Sequence, residues 1–248
     1  MPNQLLPKRW TSQPKYPTGI DWSNPITQGL VMAYTPNSGG SIVNAATGRV
    51  FSPTVTAATI GSIGVKGLGM LGTANLTPVI SIADASALTA PASGVAATFA
   101  YVAYLPLYSG ASYTDLFCAG NVRINVNSAN SFINRLGISF SGVADIPTGI
   151  TRTVNATWSV VHAMNYGGTM DTVATSEQGS FFDSVAVGGV PGVTSKTVDF
   201  LGLSGSSGEG CAAGTLLYCV FAWNRRLTVT ESLAFNANPW QIFAPSLS

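Results

Sequence analysis

Apolar and polar residues alternate along much of this chain at the two-residue period of a β-strand, and the helical period is nearly absent. In residues 121–127 every second residue is apolar, so one face should meet a core and the other water or a neighbour. Arg123 is expected on the solvated face. The alternation returns in residues 136–140 after a polar connection, which predicts that the two runs pair as an antiparallel hairpin.

Five other runs are apolar on both faces and predict central strands, covered by a second sheet on one side and by loops or another subunit on the other. They are residues 29–34, 98–105, 158–164, 198–203 and 216–223. Residues 181–187 form a further strand candidate. Because polar, glycine-rich connections separate these runs, the chain is predicted to be all-β, an antiparallel two-sheet sandwich of eight or more strands.

One short helix is predicted near the C-terminus. Thr228 and Glu231 fit a capping box, in which the threonine hydroxyl and the glutamate carboxylate satisfy exposed backbone donors of the first turn. Glu231 is therefore interpreted as structural. The helix should end at about Asn236, because the ring of Pro239 pushes Asn238 out of the helical region, and the chain beyond should be extended.

Both ends of the chain are predicted to be extended arms. Prolines at positions 2, 7, 14 and 17 prevent a helix in residues 1–19, while residues 20–248 form one sandwich domain with a tail from about residue 238. Each arm can pack along its own sandwich, reach an adjacent subunit or fray. The cost of leaving Trp10 in water argues against fraying. The predicted assembly contacts are Arg9, Trp10, Trp240 and Phe243.

Composition adds one unusual feature, because only 8% of the 248 residues are charged, against roughly 25% in an ordinary soluble domain. Such a surface costs little to desolvate, which favours a subunit that buries much of its outside in an assembly. The net charge is +1, and the small cluster of Lys8, Arg9 and Lys15 lacks the electrostatic footprint for nucleic acid. No apolar run is long enough for a membrane span, and the N-terminus carries no secretion pattern.

Side chains suited to metal or redox chemistry are few. Cys118, Cys211 and Cys219 form no C-x-x-C pair, so they are interpreted as buried thiols, with a disulfide between Cys211 and Cys219 as the alternative. His162 is the only histidine, which excludes multi-histidine metal sites. It is interpreted as a packed, hydrogen-bonded histidine, and no cofactor or metal is expected.

Three stretches resemble a known family. They are residues 20–31, the strand–turn–strand sequence of residues 158–168 and 181–184, and the C-terminal run with Asn-Arg-Arg-Leu, a short helix and Asn-Pro-Trp-Gln-Ile-Phe. Together they resemble the laminin-G-like jelly rolls of the concanavalin A-like family, in versions encoded by tailed bacteriophages. The resemblance implies a jelly-roll fold for most of residues 25–245.

The resemblance also bears on two kinds of chemistry, calcium binding and glycoside hydrolysis. Many members bind calcium through aspartates at a rim of the sandwich, and this chain shows no such cluster. Glucanases with this fold place two catalytic glutamates in a Glu-x-Asp-x-x-Glu arrangement, which is also absent here. The three glutamates are Glu177 in a turn, Glu209 in a loop and Glu231 in the capping box. The protein is therefore not expected to be an enzyme.

Three loops are candidates for a ligand surface at the rim: residues 108–115, 165–171 and 204–210. Sugars favour aromatic platforms flanked by hydroxyl and carboxylate partners. The predicted ligand-binding residues are therefore Tyr108, Tyr113, Asp115, Tyr166 and Asp171. The alternative is that these are ordinary solvated loops or subunit contacts.

Two functions fit these features. The first is a non-catalytic structural protein of a bacteriophage virion, assembled in the bacterial cytoplasm, which decorates capsid or tail through contacts with other virion proteins and copies of itself. It rests on the low charge, the strands apolar on both faces, the proline-rich ends and the phage-like resemblance. The alternative is a carbohydrate-binding adhesion module that recognises a host surface glycan, which a lectin-like fold allows but does not establish.

Overall fold

The computed structural model shows two antiparallel sheets and one short α-helix near the C-terminus, which confirms the predicted all-β jelly-roll sandwich. It describes residues 10–14, 19–75, 79–84, 95–106, 115–119, 122–125, 135–140, 146–151, 155–187, 197–202 and 210–244. Within these ranges no helix has the length and apolar character needed to cross a membrane.

The described ranges contain seventeen strands and three short helices. The strands are β1 (Leu30–Pro36), β2 (Ile42–Asn44), β3 (Arg49–Phe51), β4 (Thr54–Thr56), β5 (Ala58–Gly64), β6 (Gly67–Gly72), β7 (Val79–Ala83), β8 (Ala96–Leu105), β9 (Asp115–Ala119), β10 (Val122–Asn125), β11 (Arg135–Phe140), β12 (Ile146–Thr151), β13 (Ala156–Asn165), β14 (Thr169–Ser176), β15 (Gly179–Ala186), β16 (Thr197–Phe200) and β17 (Leu216–Trp223). The α-helix α1 covers Val229–Ala237, and 3₁₀ helices cover Pro25–Thr27 and Pro239–Ile242.

The larger sheet has the order β15-β14-β13-β8-β17-β1-β2-β3, and the β5–β6 hairpin joins it through the pairing of β6 with β17. Its middle strands β13, β8, β17 and β1 coincide with four of the runs that are apolar on both faces. The smaller sheet has the order β12-β11-β10-β9-β16-β7-β4, and the fifth run begins in β16. The predicted hairpin is β10–β11, in which Ile124 lies opposite Ile138.

The two sheets enclose one hydrophobic core. Alternate residues of β8 and β13 lie in it, including Phe99, Tyr101 and Trp158, and the smaller sheet contributes Phe117 and Phe200. All five side chains are fully buried. One face of the larger sheet is therefore covered by the second sheet, as the pattern predicts.

The opposite face of the larger sheet carries a second hydrophobic cluster, which the chain covers with its own ends. Val161 and Phe221 lie on this face, and Phe235 of α1 packs edge-on against Phe221 with ring centres 5.4 Å apart. Trp223 donates its indole N–H to the carbonyl of Ile26 at 2.7 Å. The sequence leaves loops or another subunit as the cover of this face, and the structure supplies that cover within one chain.

The predicted capping box opens α1. Thr228 Oγ1 accepts the backbone N–H of Glu231 at 3.2 Å, and Glu231 Oε2 accepts that of Thr228 at 2.8 Å. The helix ends at Ala237, one residue beyond the expected end. The expectation of an extended chain after Asn238 is wrong. Pro239 opens a 3₁₀ turn because its ring presets the backbone for the first helical position, and Asn238 Oδ1 accepts the N–H two residues on at 3.2 Å.

The segment 10–14 lies across this C-terminal turn. Trp10 donates its indole N–H to the carbonyl of Ala244 at 2.7 Å, and Asn238 Nδ2 donates to the carbonyl of Trp10 at 2.9 Å. Trp10 also packs against the second hydrophobic cluster. This part of the predicted arm is therefore bound along its own sandwich.

The other predicted assembly residues differ in position. Arg9 lies outside the described residues. Trp240 and Phe243 are buried in the second hydrophobic cluster, where they contact other parts of the same chain. Their role in assembly, like the domain boundary after residue 19, stays a prediction.

The cysteines and the histidine lie inside the sandwich. Cys118, Cys211 and Cys219 are buried free thiols, and burial raises the pKa of Cys211 to about 12. His162 is fully buried with Nδ1 2.9 Å from Thr172 Oγ1, and loss of solvation lowers its pKa to about 3. Both arrangements agree with the interpretation from sequence. Among the residues that the structure describes, no group of three His, Cys, Asp or Glu is placed to hold a metal ion.

Candidate functional site

The predicted ligand-binding residues do not form one cluster. Tyr108 and Tyr113 lie outside the described residues. Asp115 is fully buried in β9 of the smaller sheet, with Oδ2 3.9 Å from Nη1 of Arg123. Arg123, expected on a solvated face, is thus half-buried beside a carboxylate.

Tyr166 and Asp171 lie at the turn end of the β13–β14 hairpin, in the larger sheet. Tyr166 is buried in the core, and the loss of solvation raises the pKa of its hydroxyl. The carboxylate of Asp171 accepts from Arg226 Nη2 at 2.6 Å and from Ser184 Oγ at 2.8 Å. The structure therefore separates Asp115 from Asp171 and pairs Asp171 with an arginine. Their ligand-binding role stays a prediction.

A groove of about 280 Å³, lined by both polar and apolar groups, lies at the opposite end of the same hairpin, where β13 begins and β14 ends. We call it the terminal groove, because the N-terminal segment and the C-terminal helix form its walls. It is lined by Thr11, Lys66, Val102, Thr157, Ser159, Thr175, Ser176, Glu177 and residues 236–240.

Asn236 fixes one side of the terminal groove. Ser159 Oγ donates to Asn236 Oδ1 at 2.8 Å, and Asn236 Nδ2 donates to the carbonyl of Val173 at 2.9 Å. All three groups are buried or nearly so. The side chain that joins α1 to β13 and β14 is therefore held in one orientation, which preorganises this wall.

The charged groups of the groove retain bonding capacity. Glu177 follows β14 in an exposed turn, and its Oε1 accepts the backbone N–H of Thr157 at 3.3 Å. Its other carboxylate oxygen has no partner in the described part of the chain. Lys66 lies in the exposed turn between β5 and β6, and its ammonium makes no bond to any described residue. Glu177 and Lys66 therefore line the groove with one carboxylate oxygen and the ammonium free of bonds to described residues.

The rest of the lining brings hydroxyl, amide and aromatic groups together with aliphatic ones from Val102, Ala237 and Pro239. Thr11, Thr175 and Ser176 bring hydroxyls, and Asn238 contributes an amide already bound to the carbonyl of Trp10. Trp240 is almost fully buried beneath this surface. A concave surface of this size with several donors and acceptors suits a small polyhydroxylated ligand.

No local signal in the sequence marks this groove. From sequence, Glu177 is a turn residue and Asn236 the end of a helix. The lining comes from segments near residues 11, 66, 157, 175 and 236, which no local motif links. Within this lining only the Asn-Pro-Trp sequence at 238–240 belongs to a recognisable motif, and that motif indicates a family resemblance rather than a site.

Comparison with known proteins identifies the fold. No family model and no curated protein matches the sequence. The binding domain of Paraclostridial Mosquitocidal Protein 1 matches with a TM-score of 0.59 and 14% identity, over 86% of this chain and 53% of that chain. The binding domain of botulinum neurotoxin DC in complex with SialylT matches with a TM-score of 0.54 and 13% identity, over 86% and 52%.

The match of this chain to a further solved structure covers almost all of that structure. Domain 4 of AbnA, a GH43 extracellular arabinanase from Geobacillus stearothermophilus, in complex with arabinotriose, matches with a TM-score of 0.54 and 14% identity. The match covers 84% of this chain and 98% of that chain. By contrast, this chain spans about half the length of the toxin binding domains. At these identities the likeness shows a shared β-sandwich fold.

Proposed function

We propose that this protein is a non-catalytic carbohydrate-binding module and that the terminal groove is its sugar site. The observation that carries the proposal is the groove itself, in which Glu177 and Lys66 keep unused hydrogen-bonding capacity beside threonine and serine hydroxyls. A sugar hydroxyl can donate to a carboxylate and accept from an ammonium at once, so this lining matches its chemistry.

Two solved neighbours support the proposal. One β-sandwich neighbour was determined in complex with arabinotriose, and one binding domain in complex with SialylT. Since fold alone does not define function, the groove and its residues carry the argument here.

The non-catalytic part of the proposal rests on the carboxylates of the groove. Glycoside hydrolysis needs a pair of Asp or Glu side chains, one as acid and the other as base or nucleophile, on either side of the scissile bond. Among the described residues that line the terminal groove, Glu177 is the only Asp or Glu. Glu231 lies at the other end of the hairpin, where Arg225 donates two hydrogen bonds to it and lowers its pKa to about 2.

The proposal is tested first on an immobilised glycan array, followed by calorimetry with the strongest ligand. Glu177→Gln keeps the shape of the side chain and removes its charge, so we expect about tenfold weaker binding from the loss of a charge-assisted hydrogen bond. The matched control is Asp183→Asn, which removes a charge from β15, where Asp183 Oδ2 accepts the N–H of Gly149 at 2.6 Å. Its affinity should equal that of the wild type.

Two results would contradict the proposal. The first is the absence of any array signal at millimolar glycan with folded protein. The second is binding that Glu177→Gln leaves unchanged, since this would move the sugar to another surface. Circular dichroism and thermal unfolding of each variant verify that the fold is intact.

A virion setting is the second candidate. It is supported by the low fraction of charged residues, 8%, and by the phage-like resemblance of both ends of the chain. The two functions are compatible, because a glycan-binding module can be carried by a particle. Quantitative mass spectrometry of purified particles tests this: tens to hundreds of copies fit a capsid position and a few copies fit a tail position. Absence from particles would refute it.

A further inference from the structure

The tip of the β5–β6 hairpin exposes two aliphatic side chains beside the terminal groove. Ile63 is 87% exposed and Val65 is 81% exposed. Burial of aliphatic side chains stabilises a protein, so the exposure of these two side chains forgoes stabilisation. A second cavity, of about 560 Å³, lies at this tip. We call it the hairpin cavity.

The hairpin cavity differs in chemistry from the terminal groove and shares a residue with it. Its apolar lining consists of Pro14, Ile63, Val65 and Leu68. Lys66 lines both spaces, and Thr11 of the groove is followed directly by residues 12–14 of the cavity. The two spaces are therefore neighbours along one wall. The terminal groove combines polar and apolar lining, and the hairpin cavity is mainly apolar.

The shared wall is anchored at both ends. Asn238 holds the carbonyl of Trp10, and Gln13 Oε1 accepts the backbone N–H of Leu68. Gly67 permits this close approach: it has φ of +121°, and a Cβ at this position would meet the Gln13 side chain. The wall is thus held in place before any ligand binds.

We propose that the two spaces form one amphiphilic site for a glycoconjugate with a hydrocarbon aglycone, that is, a glycolipid. The sugar occupies the terminal groove, and the hydrocarbon chain lies along Ile63, Val65 and Leu68. Lys66 stands between them, beside the linkage of sugar to chain. This inference rests on the proposed sugar site, whose ligand class it narrows.

The position of the cavity next to the groove favours a hydrocarbon chain over a second protein copy. A stable protein interface buries about 1,200–2,000 Å² in total. Two exposed aliphatic side chains at one hairpin tip offer far less apolar surface than that. A single hydrocarbon chain needs only a narrow apolar track next to its headgroup, which is what this hairpin presents.

The test compares sugars that differ only in aglycone. Methyl and octyl β-D-glycosides of glucose, galactose, mannose and N-acetylglucosamine are titrated by calorimetry below the micellar concentration, with octyl tetraethylene glycol ether as the sugar-free probe. For at least one sugar we expect the octyl glycoside to bind about tenfold more tightly than the methyl glycoside, because added methylenes are buried. The double variant Ile63→Ser, Val65→Ser should lose this gain and keep the methyl glycoside affinity.

Val50→Ser is the matched control, because Val50 is 62% exposed on β3, away from the cavity lining. It should keep the octyl gain. Glu177→Gln should weaken methyl and octyl glycosides by the same factor. Light scattering of wild type and double variant reports the oligomeric state.

The outcomes separate this inference from the proposed function. Methyl glycosides that bind through Glu177 with no octyl gain refute the glycolipid site and leave the sugar site standing. Equal binding of the sugar-free ether and the octyl glycosides, with no binding of any methyl glycoside, contradicts both. An octyl gain that survives in the double variant, a dimer lost in that variant with no change in the gain, or no gain for any sugar also overturns the inference.

Discussion

At one end of the β13–β14 hairpin two carboxylates are paired with arginines, whereas at the other end a glutamate and a lysine face the terminal groove. Asp171 lies 2.6 Å from Arg226, and Glu231 lies 2.7 Å from Arg225. Glu177 forms no ion pair within the residues that the structure describes. This chain thus uses its few charged side chains in two ways: the paired charges join elements of the fold, and the unpaired charges remain available to a ligand.

Arg225 shows how the turn end of the hairpin, which we call the paired end because of its two ion pairs, stabilises the fold. Its Nε donates to the carbonyl of Gln28 at 2.6 Å, its Nη2 to that of Pro25 at 3.2 Å, and its guanidinium holds Glu231 in a two-pronged contact. One side chain thus ties the first 3₁₀ helix, the approach to β1 and the start of α1 together. A planar guanidinium suits this role because its donors point in fixed directions.

The largest expected effect follows from removing the hydrogen bonds of Arg225. Arg225→Met keeps the length of the side chain and deletes its donors, so we expect the free energy of unfolding to fall by about 3 kcal/mol, as charged hydrogen bonds are lost. Urea unfolding followed by tryptophan fluorescence measures the change. Sugar affinity of the folded protein should stay at the wild-type value, because the terminal groove lies at the other end of the hairpin.

The companion variant Glu231→Gln sharpens this prediction. It retains a hydrogen-bond acceptor for Arg225 and for the helix N-terminus, so it should destabilise less than Arg225→Met does. Equal stabilities of Arg225→Met and wild type would show that the paired end contributes nothing to folding. In that case the division between paired and unpaired charges would have no energetic basis.

The buried His162, in the middle of the β13–β14 hairpin, should make the stability of the fold depend on pH. The described groups next to His162 are Thr172, Tyr101 and Phe99, which are uncharged at neutral pH. Burial lowers the pKa of His162 from 6.5 to about 3, so the unfolded chain takes up a proton first as pH falls. The stability is fully present above pH 6.5 and is lost between there and pH 3. From pH 7 to pH 5 we expect a loss of about 2 kcal/mol.

Urea unfolding at pH 7 and pH 5 measures this slope. Glu231, whose pKa is lowered to about 2, contributes stability that is lost mainly below pH 4.5, so it interferes little in this interval. His162→Gln offers a neutral group to Thr172 and should remove most of the slope. A slope that is unchanged in His162→Gln would assign the pH dependence to other groups.

Much of the fold could be predicted because its signals are local. The alternation of residues 122–125 and 136–138 predicts the β10–β11 hairpin, and residues 228–231 contain the whole capping box. Runs that are apolar on both faces correctly predict central strands. They do not say what covers the second face, because the covering residues 235–243 are distant from most of these strands in sequence.

The site could not be predicted, because its geometry depends on contacts between residues that are far apart in the sequence. Asp171 and Tyr166 are of the residue types expected in a sugar site. However, Asp171 is paired with Arg226, 55 residues away in sequence, and Tyr166 is buried. Glu177 gave no signal, since a glutamate in a turn is ordinary. The fold gives it its neighbours by bringing the N-terminal segment and α1 to the same end of β13 and β14.

The smallest expected effect decides between the two ends of the hairpin as sugar sites. Asp171→Asn removes the ion pair with Arg226. Because the side chains of Asp171 and Arg226 are 22% and 26% exposed, we expect the free energy of unfolding to fall by about 0.5–1 kcal/mol. Calorimetry with the same glycan should give the wild-type affinity, because the Asp171 carboxylate is already bound by Arg226 and Ser184. A tenfold loss in Asp171→Asn, with none in Glu177→Gln, would reverse the comparison: the sugar would then bind at the paired end, as the sequence predicts, and the free charges of the terminal groove would need another role.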